Sequence, residues 1–524
     1  MSTIGRQGTS SQLPAGPHIK DLRQFIEALR SLGDLQDVER EVDWELEIGA
    51  IIRHSYDLRA AAPLFNAITG YTGTGFRVLG APGGLSSADR PLARVALALG
   101  LPATATGQDI MAAIVAARAK PGIPPRMVAA DPAPCKQNKM LGDDIDLFAF
   151  PTPLIHANDG GRYIQTYGMN IVKTPDGSWT NWSINRMMIA SKNTLACLIP
   201  GPQHLGIIRA QWTKLGQPMP IVVALGVEPG LPYAGAMPLP EGDDESHFLG
   251  ALFGEALEVV AAETVDLPVP ATAEIVIEGH VAFDEDVMEG PMNEYPGYNA
   301  YDASPKPVFH VSAITYRDGA ILPVVAAGPP VEEDHTGTGT MHAAEILYQL
   351  RQAALPIAST WFSYESALHW LIVSVQQDWY ETLAIRADEL ATKIGHVVFA
   401  GKAGFGVPKI LLVEDDIDIT DVNQVVWAFA TRTHPEHGET HFPAEATAAL
   451  SIYLDEDEQH SYRAGKVIYN CLLADRFPQG HRPVKGSFEN GWPARVQQKV
   501  ITNWHGYGYP TENMKGPHAG SEEP

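Results

Sequence analysis

The chain has 524 residues, 45% of them hydrophobic and 19% charged, so it can fill more than one core and is far from the composition of a disordered protein. Its formal net charge is −25 with no Lys/Arg cluster, which argues against nucleic acid or an anionic membrane as partner; an anionic substrate needs a local cationic site. The cysteines Cys135, Cys197 and Cys471 are widely spaced and form no CxxC pair, and no apolar run reaches the ~18 residues of a membrane helix, so a soluble cytoplasmic protein with reduced thiols is expected.

Residues 1–17 lack an apolar signal core and read as a flexible tail. Asp21 opens a helix with Leu22, Phe25, Ile26, Leu29 and Leu32 at helical spacing, and Gly33 ends it. Alternating helical and extended pieces follow, among them an Ala-rich helix over 109–118, so 18–130 reads as a small α/β domain. Pro132, Pro134, Pro151 and Pro153 stiffen the entry to the next unit. Over 131–330 the pattern is mostly extended, with strands at 163–172, 179–188, 220–225, 273–281, 308–316 and 320–327. One helix, 245–265, interrupts them. An antiparallel sheet or barrel is the expectation. A linker helix occupies 331–356. An α/β region then spans 357–510, with a strand at 410–413, a helix at 422–431 and an apolar run at 466–473. Its end, with Trp504, suits docking on a second subunit. Residues 511–524 read as another tail. The fold class is therefore a multidomain chain of α/β and α+β units.

The stretch T-N-W-S-I-N-R-M-M (180–188) follows a Pro-Asp-Gly turn and looks like the return arm of a hairpin. It spends strand positions on Asn181, Ser183, Asn185 and Arg186 beside Trp182. Such side chains need water, each other or a ligand as partners. A solvated edge strand explains it in isolation. Two other places ask for more: Gln203-His204 closing a Pro/Gly turn, and E-G-P-M-N-E-Y at 289–295. Glu289 and Glu294 on a Gly/Pro loop can converge, which would raise the pKa of at least one. A lone E-G-P-x-x-E is most simply a solvated acidic loop; with Arg186 held against it, the three make a proton-handling and carboxylate-binding trio. Glu245 at a helix start would ordinarily do no more than favour the helix dipole. Joined by Asn181 and His204 it gives an O, N, O donor set suited to Mn²⁺ or Mg²⁺ with a phosphate.

Asn181 and Arg186 are an odd number of residues apart, so a regular strand would point them to opposite faces. Either the strand breaks around 183–185 or the two grip different ends of a long cofactor; the second is the expectation. Three patterns are discounted. His434, His437 and His441 are separated by Pro and Gly and read as a solvated loop. Glu414-Asp415-Asp416 is a strand end, and Gly404-Phe405-Gly406 is too weak for a dinucleotide signature.

Several motifs in order carry a resemblance. They are G-R-Y-I-Q-T-Y-G-M (161–169), T-N-W-S-I-N-R (180–186), P-Q-H (202–204), A-M-P-L-P-E-G (236–242), E-G-P-M-N-E (289–294) and F-A-G-K-A-G (399–404). Over about residues 18–510 the chain resembles the UbiD family of decarboxylases, on its ferulate (phenylacrylate) side. The resemblance implies prenylated FMN in a split-barrel domain at 131–330. Contacts to it would come from Thr166, Asn181, Trp182, Ser183, Ile184, Asn185, Arg186, Gln203, His204, Met237, Glu245 and Lys402. It implies Mn²⁺ held by Asn181, His204 and Glu245 with the flavin phosphate, and K⁺ held by the backbone of Trp182, Ala234, Gly235 and Met237.

The implied reaction is reversible, non-oxidative decarboxylation of an aromatic, heteroaromatic or α,β-unsaturated acid through a covalent prenylated-flavin adduct, with release of CO₂. Arg186 would orient the substrate carboxylate, Glu289 hold Arg186, and Glu294, its pKa raised by the site, deliver the proton. A flavin prenyltransferase would supply the cofactor, and the C-terminal domain would form a homodimer. Tyr295, Thr338, Ala448 and Leu450 fall at pocket positions. The small Ala448 leaves room for a bicyclic ring, and Thr338 or Tyr295 could address a ring heteroatom. Heteroaromatic or hydroxylated acids, indole-3-carboxylate among them, are thus favoured over cinnamate. The competing expectations are an FMN-dependent oxidoreductase on a split barrel and a non-catalytic subunit of a larger assembly.

Overall fold

The computed structural model describes residues 16–86, 90–131, 133–299, 302–477 and 481–509; Pro132, residues 1–15 of the first tail and the whole tail 511–524 lie outside them. The helix announced by Asp21 spans Leu22–Ser31, with the Asp21 side chain accepting from the Gln24 N–H and Leu22, Phe25, Ile26 and Leu29 buried. It lies beside a four-stranded sheet ordered Leu35–Val38, Ala62–Phe65, Arg77–Gly80 and Ile321–Val324. The last of these arrives from far along the chain and runs parallel to Arg77–Gly80. A segment read as the end of the central unit therefore completes the N-terminal sheet, where all of its residues are buried.

The central sheet has nine strands. Its path runs Tyr163–Gln165, Met187–Ser191, Thr194–Cys197, Ser304–Tyr316, Ile275–Glu289, Met219–Leu225, Gly168–Lys173 and Thr180–Ser183, with Asn138–Leu141 pairing off Ser304–Tyr316. Tyr163–Gln165 and Gly168–Lys173 are neighbours in sequence yet stand near opposite ends of that path. In a flat sheet they would be about 29 Å apart at ~4.8 Å per strand. The two-residue link between them reaches only ~11 Å. The sheet must therefore curl into a barrel split along a seam, and the chain crosses that seam twice, at Thr166-Tyr167 and at Ile184-Asn185-Arg186.

Those crossings correct two expected elements. The run 163–172 is two strands, Tyr163–Gln165 and Gly168–Lys173. The run 179–188 is Thr180–Ser183, paired with Gly168–Lys173 as a hairpin, and Met187–Ser191, paired with Tyr163–Gln165 at the other edge. Asn181 and Arg186 thus belong to different edges. The parity conflict disappears because the strand breaks, the option not favoured above. The helix expected over 245–265 is Glu245–Phe253, closed by Gly254 at φ 73° in the left-handed region; Val260 lies instead in the strand Glu258–Ala261.

Beyond the barrel, the linker helix spans Glu333–Gln352, its first turn carrying Glu333, Asp334 and His335 rather than hydrophobic residues. It packs on Ile357–Phe362, the edge of a five-stranded sheet completed by Trp370–Val375, Lys409–Glu414, Arg463–Asn470 and Glu439–Ala446. Among the described residues no helix is long and apolar enough to cross a membrane.

Candidate active site

Arg186 ends the second seam crossing, and two carboxylates meet it there. Glu289 is the final residue of Ile275–Glu289 and only 1% exposed. Gly290, at φ 87°, turns the chain directly after it, and a Cβ at Gly160 would fall 1.9 Å from the Gly290 carbonyl oxygen, so this approach requires glycine. Arg186 Nε donates to Glu289 Oε1 at 2.9 Å and Nη2 to Oε2 at 3.3 Å, while Nη1 donates to Glu294 Oε1. The trio expected from sequence is assembled. It has a fourth member that sequence reasoning passed over: Tyr163 donates its hydroxyl to Glu289 Oε1 at 2.7 Å. Burial and the Glu289 charge push the Tyr163 hydroxyl above its ordinary pKa, which keeps it a donor. Its place in G-R-Y-I-Q-T-Y-G-M was the available signal.

Along the seam, Glu245 collects the other set. Its Oε1 accepts from Asn181 Nδ2 at 2.8 Å and lies 3.6 Å from His204 Nδ1, and its Oε2 accepts from the Trp182 N–H at 2.8 Å. Burial raises the Glu245 pKa, and burial with Lys402 nearby lowers that of His204 to about 4, leaving a neutral imidazole. Lys402 reaches across from the C-terminal domain, with Nζ 3.0 Å from His204 Nε2 and 3.4 Å from the Leu239 carbonyl oxygen. Its own turn, Lys402–Gly404, is held by Lys466, whose Nζ donates to the carbonyls of Gly404 and Phe405 at 2.8 and 2.9 Å. Gln203 accepts from Asn185 Nδ2 at 3.0 Å. The backbone set also converges: a Cβ on Gly235 would stand 3.4 Å from the Trp182 carbonyl oxygen, and the Met237 N–H donates to Ala234 O at 3.0 Å.

Buried polar atoms are normally paired. Here the seam leaves Gln165 Oε1, Asn181 Oδ1, Trp182 Nε1, Ser183 Oγ and Asn185 Oδ1 buried without a hydrogen-bond partner among the described residues. Carboxylate, amide oxygen and neutral imidazole suit a hard divalent cation. With the unpaired donors and acceptors beside them, the residues fit a bound cation and a polar cofactor.

A cleft beside the seam is lined by Thr166, Ile184, Ala236 and Val325 from the barrel side and by Glu333, Asp334 and Thr338 from the helix Glu333–Gln352. Thr166 and Thr338 both line this cleft. Tyr295 is tied to the same helix, its carbonyl oxygen 3.0 Å from His335 Nε2. Ala448 and Leu450 are not among the cleft residues. They follow the strand Glu439–Ala446 in the C-terminal domain, where Ala448 Cβ stands 3.9 Å from a Cβ built on Gly406. Asp334, in the first turn of that helix, was not singled out from the sequence. Of the discounted patterns, His434 and His437 stack on each other at 4.9 Å, and Glu414 is buried, accepting from the Leu473 and Ala474 N–H groups.

A split barrel whose seam brings Asn181 and His204 to Glu245, and Arg186 to Glu289 and Glu294, has the form of a cofactor-dependent enzyme. Three family models match in succession: the N-terminal (26–114), Rift-related (126–330) and C-terminal (335–471) domains of 3-octaprenyl-4-hydroxybenzoate carboxy-lyase. The chain is 45% identical over 492 residues to a pyrrole-2-carboxylic acid decarboxylase of Pseudomonas aeruginosa, covering 93% of this chain and 98% of that one. It is 36% identical over 494 residues to ferulic acid decarboxylase 1 of Saccharomyces cerevisiae, with the same coverage. A solved UbiD-class enzyme from Pelotomaculum thermopropionicum, in complex with prFMN, matches with a TM-score of 0.73 at 27% identity over 90% of this chain and 98% of that one. The chain belongs to the UbiD family of carboxy-lyases, as its motifs indicated.

Proposed function

We propose that the chain removes CO₂, reversibly, from a heteroaromatic or aromatic carboxylic acid, with prenylated FMN along the seam. The observation that carries this reading is Arg186 bracketed by Glu289 and Glu294, two residues along the chain from Ile184 in the wall of the cleft. Asn181, His204 and Glu245 would hold Mn²⁺ against the flavin phosphate. The backbone of Trp182, Ala234, Gly235 and Met237 would hold K⁺. Lys402 would neutralise the phosphate, and the unpaired groups of Gln165, Trp182, Ser183 and Asn185 offer partners to the flavin. When bound, the cofactor supplies an electron sink for the carbon that loses CO₂.

The chain's own residues do the rest. Arg186 pairs with the substrate carboxylate and fixes its position. Glu289, doubly engaged by Arg186 and also held by Tyr163, fixes Arg186. Glu294, paired to a single guanidinium nitrogen, is the group free to give a proton to the carbon that CO₂ leaves and to take it back in the reverse direction. The 45% identity to a pyrrole-2-carboxylic acid decarboxylase supports a heteroaromatic acid over cinnamate.

Exposed Val484, Trp492, Tyr507 and Tyr509 at the C-terminal end support a homodimer formed through that domain, testable by light scattering. Cys135, Cys197 and Cys471, all buried and unpaired, support a cytoplasmic setting.

The test is to co-express the chain with an active flavin prenyltransferase and weigh the released flavin. The prenylated FMN mass, with CO₂ release from a panel of aromatic acids, is the expected result. Unmodified FMN with NAD(P)H oxidation would turn the reading towards an oxidoreductase, and no flavin at all towards a non-catalytic subunit.

A further inference from the structure

Glu294, the proton donor of the proposed reaction, sits on the loop between Ile275–Glu289 and Ser304–Tyr316, outside any strand ladder. Two bonds fold its neighbourhood into a turn. The Glu294 N–H donates to the Tyr298 carbonyl at 3.1 Å and the Gly297 N–H to the Glu294 carbonyl at 2.9 Å. These bonds shape the turn but do not fix where it lies. Arg186 reaches the Glu294 side chain, yet the same guanidinium has to take the substrate carboxylate, so its hold on Glu294 is shared during turnover. The backbone around Glu294 needs an anchor of its own.

His335 has the geometry of that anchor. It is fully buried in the first turn of the helix Glu333–Gln352, and its two ring nitrogens face different partners. Nδ1 accepts from the Glu332 N–H at 3.0 Å, one half of the capping box of that helix. Nε2 stands 3.0 Å from the carbonyl oxygen of Tyr295, the residue after Glu294. A carbonyl only accepts, so Nε2 carries the proton and donates it. Glu332 Oε1 lies 2.9 Å from Nδ1 as well, and a second proton there would leave the Nε2 donor unchanged. Capping calls for an acceptor alone, so the donor on the far side of the ring is surplus to it. The ring also meets the Tyr295 ring edge-on at 6.0 Å, and a Cβ at Gly297 would stand 3.2 Å from Pro329 Cα. The turn therefore lies close against the segment that enters the helix.

We infer that His335 is a positioning residue for proton transfer: its Nε2–H, bound to the Tyr295 carbonyl, fixes the turn that keeps Glu294 at Arg186 and at the carbon that CO₂ leaves. The inference rests on the decarboxylase reading and adds to it a residue outside the cleft wall. Misplacing a reacting group by about 1 Å can cost on the order of 100-fold in rate. Loss of the Nε2 donor should fall on the proton step, while Arg186, itself fixed by Glu289, keeps its affinity for the substrate carboxylate.

The test uses the full chain loaded with cofactor by co-expression and the panel acid it turns over fastest, pyrrole-2-carboxylate being the first tried. His335→Asn keeps an acceptor for the Glu332 N–H but is too short to reach Tyr295. His335→Gln can place its amide nitrogen where Nε2 stood. In His335→Asn, kcat should fall by about 10- to 100-fold with KM within about 2-fold. Its solvent deuterium isotope effect on kcat should rise as proton transfer becomes limiting. His335→Gln should recover kcat to within about 3-fold of the wild type. A purely structural role would move flavin content and melting temperature and leave the isotope effect where it was. A flavin-loaded His335→Asn enzyme with the wild-type kcat overturns the inference, as does a His335→Gln enzyme no faster than His335→Asn.

Amide exchange needs no turnover and so separates the inference from the reading beneath it. The Glu294 and Gly297 N–H groups should exchange faster in His335→Asn than in the wild type or His335→Gln. If no acid releases CO₂ in the wild type, the decarboxylase reading falls by itself. Faster exchange in His335→Asn then still assigns the turn to His335, and equal exchange in all three proteins rejects it. Should His335→Asn fail to fold, His335→Gln decides. Wild-type exchange with kcat within about 3-fold supports the inference, and wild-type exchange with a fall of about 10-fold or more overturns it.

Discussion

At the trio end of the seam the protein satisfies itself. Arg186 donates to both glutamates, and Glu289 receives Tyr163 as well. At the other end it does not, for Asn181 Oδ1, Ser183 Oγ and Asn185 Oδ1 are buried with no partner among the described residues. The first arrangement is preorganised before substrate arrives, so its energy goes into orientation. The second presents buried acceptors and donors that a bound group can satisfy, each left unpaired costing roughly 1–3 kcal/mol. Loss of a trio residue should therefore act on turnover with the cofactor retained, and loss of a cradle residue on retention itself.

The largest effect should come from Arg186→Ala, which removes the proposed carboxylate anchor and leaves Glu289 buried without its cation. A fall in kcat/KM of about 10³-fold with flavin content unchanged is expected. Loss of flavin in step with activity would erase the proposed contrast between the two ends. Asn181→Ala should do the reverse, lowering Mn²⁺ and flavin retained through gel filtration by up to ~100-fold in affinity. The fraction that stays loaded should turn over at close to the wild-type rate. A fully loaded but slow Asn181→Ala enzyme would instead place Asn181 with the trio.

Much of this contrast was legible in the sequence. The polar residues of 180–186 signalled a ligand because a strand has no reason to bury them, and the glutamates flanking Gly290-Pro291 signalled convergence. What periodicity could not give was the seam. Splitting 179–188 into two edge strands depends on the Tyr163–Gln165 and Gly168–Lys173 pairings far across the barrel, and no local pattern encodes closure. That Ile321–Val324 pairs with the N-terminal sheet was hidden for the same reason, since a buried strand does not reveal which sheet it completes. The helix expected to run to 265 failed more locally, because apolar residues continue past Gly254 at a spacing that suits both helix and strand.

Tyr163→Phe probes the trio more gently. It deletes one hydrogen bond to Glu289 and keeps the ring, whose centroid lies 5.9 Å from the Arg186 guanidinium carbon. With Glu289 less firmly held, kcat should fall about 10-fold, the equivalent of one such bond, while flavin content and KM change little. A wild-type rate would show that the two Arg186 contacts fix Glu289 unaided.

Lys466 acts on the cradle without touching it, through the turn that carries Lys402. Its ammonium fastens the carbonyls behind Lys402, and burial lowers its pKa to about 7 from an ordinary 10.5. Between those values the unfolded chain binds a proton that the folded chain does not, so this residue makes stability rise with pH from about 7 to about 10.5, and its penalty is fully present below 7. Lys466→Met should abolish that slope. The melting temperature of the wild type relative to the variant should then climb by about 2–4 °C from pH 7 to 9. The loosened turn should release flavin only about two- to five-fold faster, an effect below that of one lost hydrogen bond. Parallel melting curves across that pH range would mean that Lys466 keeps its proton in the fold. The turn would then be held by a permanent charge, and the cradle's grip on flavin would not depend on pH through this residue.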